Sequence, residues 1–177
     1  MSARVSFAIV SALLFSACRA SPPPPAGAAA TSDSAYVSLQ TRGEKVMGVD
    51  QYNATHVFED LRDGGRIVLE QNDAKDTAGI NRIRVHMREI ATAFAAGRFD
   101  APSMVHAQQV PGTDVMRERR KRITYGAVER PRGAEVRIVT WDSTAVGAVH
   151  DFLAFQRGEH RAAGHEKHRA AEGGTAQ

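Results

Sequence analysis

Apolar and polar residues alternate over residues 55–59, where His56 and Phe58 share a face, and over residues 66–71, where Ile67 and Leu69 do. A period of two predicts two strands, and Asp63-Gly64-Gly65 between them predicts a tight turn. After Gln71 the period changes. Ile80, Ile83, Met87, Ile90 and Phe94 recur at spacings of three and four, which predicts a helix with one apolar face, capped at its end by Gly97. The same order then returns. Residues 123–128 and 135–140 predict strands joined through Pro131-Arg132-Gly133, with Val136 and Ile138 on one face and Arg137 and Val139 on the other. Ser143 is suited to cap a helix running to about Gly158, whose stripe is Val146, Val149, Phe152, Leu153 and Gln156. Residues 36–47 and 114–122 predict two further helices.

The pattern is thus strand, strand, helix, stated twice. Gly64-Gly65-Arg66-Ile67-Val68-Leu69 parallels Gly133-Ala134-Glu135-Val136-Arg137-Ile138, and Ile83-Arg84-Val85-His86 parallels Gly147-Ala148-Val149-His150. A single hairpin is marginal in water. Two ββα units sharing one sheet bury both apolar faces, which predicts an α+β fold with a four-stranded antiparallel sheet and the helices packed on one face.

Ahead of this domain the pattern is different. Arg4 is followed by an apolar run, residues 5–15, too short to span a bilayer as a stable helix. Phe15-Ser16-Ala17-Cys18 then resembles the lipobox of bacterial lipoproteins, which implies cleavage before Cys18 and lipid on its thiol. Cys18 is the only cysteine of the chain, so no intrachain disulfide can form. A free thiol in an oxidising compartment is a liability that acylation removes, and several acyl chains, palmitate among them, anchor far better than one. Arg19 after the cysteine, by resemblance to sorting rules, implies an outer-membrane lipoprotein facing the periplasm, with the inner membrane as the alternative. Pro22 to Pro25 with neighbouring Ala and Gly predict an extended spacer. The expected plan is a signal peptide at 1–17, a lipidated cysteine and Pro/Ala-rich tether at 18–33, one α+β domain at 34–160, and a disordered His-containing tail at 161–177.

Charge adds little. Loss of Arg4 leaves 22 basic against 20 acidic side chains, so the domain is close to balanced. The sequence Arg117-Glu118-Arg119-Arg120-Lys121-Arg122 is strongly basic. Outside the cytoplasm its available polyanions are lipid phosphates or lipopolysaccharide, and nucleic acid is not an expected partner. No glycine-flanked nucleophile and no phosphate-cradling glycine loop is present, which disfavours an enzyme of a recognisable class.

Several segments resemble a group of small exported bacterial proteins: Met47-Gly48-Val49-Asp50-Gln51, Thr55-His56-Val57-Phe58, His86-Met87-Arg88-Glu89-Ile90-Ala91, Val105-His106 and His150-Asp151-Phe152-Leu153-Ala154-Phe155-Gln156. Some of that group carry the label aspartate carbamoyltransferase. At 177 residues the chain is too short for the two α/β domains of that enzyme, and it lacks the Ser-Thr-Arg-Thr loop that binds carbamoyl phosphate there. The resemblance therefore implies a fold and an address rather than an activity.

Histidine and methionine supply the candidate chemistry. Imidazole suits copper and zinc, and thioether adds a preference for Cu(I). If the two halves pack about a twofold axis, His86 and His150 face each other, and His56 and His106 join them with Met47 or Met104 as a metal site. Met104-Val105-His106, if extended, places both ligands on one side. His160, His165 and His168 form a weaker metal-binding tract toward the C-terminus. Two functions are expected from this: an envelope lipoprotein that binds a transition metal, copper before zinc, or an envelope interaction domain with a protein or lipid partner and structural histidines.

Overall fold

The computed structural model describes residues 26–162, with side chains from residue 33 onward. The signal peptide, Cys18, the proline run, His165 and His168 lie outside the described residues. Strands β1 (Ala54–Leu61) and β2 (Gly64–Gln71) form one hairpin, and β3 (Ile123–Arg130) and β4 (Gly133–Thr140) form the other. They make a four-stranded antiparallel sheet in the order β1-β2-β4-β3, so the expected α+β architecture of two ββα units is what the chain adopts. Helices α2 (Thr77–Ala95) and α5 (Ser143–Glu159) follow β2 and β4.

The repeat is geometric as well as textual. The shift that carries Ala54 onto Ile123 also carries Gly64 onto Gly133 and Ile67 onto Val136, and Ile67 pairs with Val136 across the centre of the sheet. The local twofold therefore passes through that pair. Asp76 and Asp142 are equivalent N-caps, accepting from the backbone N–H of Gly79 and of Thr144 and Ala145. Asp142, rather than the expected Ser143, is thus the residue that starts α5.

Each helix packs over the hairpin of the other half. α5 lies on β1 and β2, while α2 lies chiefly on β3 and β4. Neither half buries its apolar face alone. The core is Phe58, Ile67, Leu69, Ile83, Phe94, Val136, Ile138, Val149, Phe152 and Leu153, all under a tenth exposed. Burying a side chain of this size is worth about 1.5–3 kcal/mol. Arg157 of α5 grips Asp60 of β1 through two parallel hydrogen bonds, 2.8 and 3.0 Å, and also donates to the Phe58 carbonyl. The opposite face of the sheet carries a charged ladder, with Arg66 beside Glu59 and Arg130 beside Glu135.

Three parts differ from expectation. α1 (Ala26–Met47) begins inside the stretch read as an extended spacer, because the proline run ends at Pro25 and the alanines after it favour helix. α3 (Asp100–His106) occupies a segment expected to be extended, and α4 (Thr113–Glu118) follows it. In a helix Met104 and His106 lie about 200° apart, so His106 is buried while Met104 is 56% exposed. At the far end, α5 closes on Arg161, which has a left-handed φ of 49°. Its guanidinium pairs with Asp33 at 2.5 Å and lies 4.4 Å from the centre of the Tyr36 ring, fastening the end of α5 to α1. Arg161 and Ala162 thus belong to the fold rather than to a tail.

None of the described helices is long and apolar enough to cross a membrane.

Candidate functional site

Three helical stripes and a strand pair converge beneath α1. On α5, Phe152, Gln156 and His160 recur every four residues on one side. On α2 the corresponding stripe is His86, Met87, Ile90 and Phe94, and α3 contributes Val105 and His106. The sheet supplies His56 and Phe58 of β1 with Leu69 and Ile67, their partners on β2. Val46 and Met47 of α1 cover the group. Together these side chains line a partly open cavity of about 70 Å³. That is several times the 10–15 Å³ one water needs, and smaller than the roughly 150 Å³ of an apolar cavity that takes benzene. Met47 and His86 also line a groove on the outer side of α2 with Asn81, Arg82 and Glu89, so these two side chains form the wall between cavity and exterior.

Four histidines from four elements meet here. His56 and His160 stack at 5.1 Å between ring centres, 21° from parallel. His160 meets His106 edge to face at 5.1 Å, and His106 meets Phe155 at 4.9 Å. His106 Nε2 is 2.8 Å from Gln156 Oε1, while its Nδ1 stands 3.9 Å from Glu159 Oε2, too far for a hydrogen bond. His106 Nδ1 and His160 Nδ1 are both buried without a hydrogen-bond partner among the described residues. Leaving such a group unpaired costs about 1–3 kcal/mol.

Burial governs the charge state. It lowers His56 to about 4, with repulsion from His86 adding to the effect. It lowers His160 to about 3, assisted by His56 and His106. His86 and His106 are lowered chiefly by burial, against the opposing pull of Glu89 on the first and of Gln156 and Glu159 on the second. None of the described residues lining the cavity is acidic, lysine or arginine. At neutral pH the cavity is therefore an uncharged, mostly apolar chamber with imidazole edges.

The residues singled out in the sequence divide. His56, His86, His106 and Met47 come together at the cavity. Met104 does not, being on the outer side of α3. Nor does His150, whose Nε2 lies 3.0 Å from the carbonyls of both Leu61 and Gly64 at the β1–β2 turn. His160 does, as the residue that caps the end of α5 rather than as part of a tail, and so does Met87. The spacing Phe152-Gln156-His160 is the sequence signal for His160, which continues the α5 stripe one turn beyond Gln156 and two residues past the expected end of the helix.

As a metal centre the arrangement is incomplete. Near-parallel stacked imidazoles hold their lone pairs in separate planes and cannot share one ion. Among the described residues no group of three or more His, Cys, Asp or Glu side chains is placed to hold a metal ion.

No protein-family model, curated protein or solved structure matches this chain.

Proposed function

We propose that this chain is a lipid-anchored domain of the cell envelope that binds a small uncharged guest, or the apolar end of a larger one, in the histidine-lined cavity. One observation carries the reading. Two imidazole nitrogens, Nδ1 of His106 and of His160, are buried without a hydrogen-bond partner among the described residues, and both residues line a chamber whose remaining walls are mostly apolar, with His56, His86 and Gln156 among them. Binding pockets commonly combine apolar walls with a few fixed polar groups that orient the guest. An ion brought here would lose its hydration and meet no opposite charge on the lining, so the chemistry favours a neutral molecule. The guest would supply the hydrogen-bond partner the two nitrogens lack. The anchor rests on Phe15-Ser16-Ala17-Cys18.

A second reading, a soft cation such as Cu(I), is favoured by the thioethers of Met47 and Met87 beside neutral imidazoles. It requires the His56–His160 stack to open. Calorimetry on the full chain with n-butanol, with Cu(I) and with Zn(II) separates the two. Saturable n-butanol binding that is lost in Val105→Phe supports the neutral guest. Tight one-to-one Cu(I) binding with no response to n-butanol supports the cation. Neither response, with His160→Phe lowering stability alone, leaves the histidines structural.

A further inference from the structure

Trp141 is 88% exposed, the most exposed of the large apolar side chains described. It lies immediately after β4, and the basic 3₁₀ turn of Arg120, Lys121 and Arg122 lies immediately before β3. Ile123 and Thr140 pair at the end of the ladder, and the Thr140 hydroxyl donates to the Arg122 carbonyl at 2.9 Å. The indole and the basic turn thus emerge side by side from the same end of the sheet. Asp142, next to Trp141 in the chain, accepts a hydrogen bond from Arg119 at 3.2 Å and lies 3.8 Å from Arg122, so both guanidiniums gather at the carboxylate that follows the tryptophan. An exposed indole that shares one end of the sheet with a run of basic side chains suits one environment in particular. Tryptophan favours the headgroup level of a bilayer, where its ring meets acyl chains and its N–H meets water, and cations are drawn there by anionic lipid.

We propose that Trp141 with Arg119, Arg120, Lys121 and Arg122 docks this end of the domain on an anionic bilayer surface. The inference accords with the lipid tether proposed above but uses none of its residues. It adds an orientation. Asp33 of α1 meets Arg161 at one end of α5, and Trp141 stands at the other. The 17 residues of α5 span about 25 Å. A domain seated on Trp141 therefore turns the N-terminal end of α5 toward the bilayer.

Trp141 is the only tryptophan of the chain, so its emission reports on this contact alone. The test uses the full chain carrying Cys18→Ser, so that no lipid on the cysteine contributes, with vesicles of phosphatidylglycerol or of phosphatidylcholine. The expected result is a saturable shift of emission to shorter wavelength with the anionic vesicles, reversed by high salt and absent with the zwitterionic ones. Arg120→Glu/Lys121→Glu, which changes two exposed side chains outside the core, should abolish it. No shift with anionic vesicles overturns the proposal, as does an equal shift with both lipids. A response to soluble polyglutamate with none to vesicles also overturns it and points to an acidic protein partner. Loss of the lipid anchor would be seen separately, as an unmodified Cys18 by mass spectrometry of the native chain.

Discussion

Arg84 and His150 are equivalent residues that latch equivalent turns. Each stands eight residues after its helix's N-cap, Asp76 or Asp142. Arg84 donates to the carbonyls of Arg130 and Gly133 at the β3–β4 turn, 2.9 and 3.2 Å. His150 lies 3.0 Å from those of Leu61 and Gly64 at the β1–β2 turn. Both partners of His150 Nε2 are acceptors, so that nitrogen carries a proton and is not a metal ligand. The two contacts interlock the halves, because each helix secures the hairpin of the other.

That equivalence yields a stability prediction. His150→Ala leaves two turn carbonyls without their donor and should cost about 1–2 kcal/mol. His150→Arg should recover most of it, since a guanidinium performs the same task at position 84. Urea unfolding of the three proteins measures both. Equal losses for Ala and Arg would show that the turn contact contributes little. Guest binding in the cavity should be unchanged in either variant.

Much of this architecture was legible because hairpins announce themselves locally. Alternation over residues 55–59 and 66–71, with glycines between, leaves few other structures open. The sequence pairs His86 with His150, and the structure separates them for a definite reason. Asn72 to Lys75 separate β2 from the Asp76 cap, whereas only Trp141 separates β4 from Asp142. The helices are thus out of phase with the strands between the two halves, and aligning the histidines hid it. His86 corresponds to Phe152, which lines the same cavity. α3 was hidden because residues 100–106 are too few to display a helical period and include Pro102.

Acid should unfold this protein early. In the unfolded chain the cavity histidines take up protons below their ordinary 6.5, whereas in the folded protein His56 resists to about 4 and His160 to about 3. The unfolded state therefore binds more protons across that window, and stability, full above about 6.5, falls as pH drops from 6.5 toward 3. His86 and His106 act in the same direction. Asp63, Asp76 and Asp142, held below the ordinary 3.8 by hydrogen bonds, extend the loss at the acid end. Urea midpoints should decline between pH 7.5 and 4.5, and His56→Phe/His160→Phe should flatten the decline. A double variant with the parent's slope would contradict this.

Gly112 permits a close approach that no other residue allows. It caps α4 with a φ of 79°, and a Cβ there would overlap the carbonyl of Ala148 on α5. Backbone flanks it, so nothing can swing aside. Gly112→Ala should cost more than about 2 kcal/mol. Gly147→Ala, at a position with nothing within 4 Å of the added methyl, should be neutral or slightly stabilising. Thermal unfolding of the pair provides the comparison, and similar midpoints would refute the close approach.

Filling the chamber should separate binding from folding. Val105 is buried and lines the cavity from α3. Val105→Phe places a ring in the available space and should abolish guest binding, with a stability change of about 1–3 kcal/mol or less. Xenon, which enters apolar cavities and carries no charge, is a suitable probe. Its NMR shift should respond saturably to the parent protein and not to the variant. An identical response from both would place the xenon elsewhere.

The histidine ring nitrogens test the central claim most directly. Nitrogen-15 NMR of the imidazoles, recorded during a titration with n-butanol, reports on each ring separately. The account predicts that His106 and His160 move together and saturate, while His150, occupied at the turn, stays fixed. Movement of no ring, or of His150 alone, would contradict a guest held at the unpartnered nitrogens of the cavity.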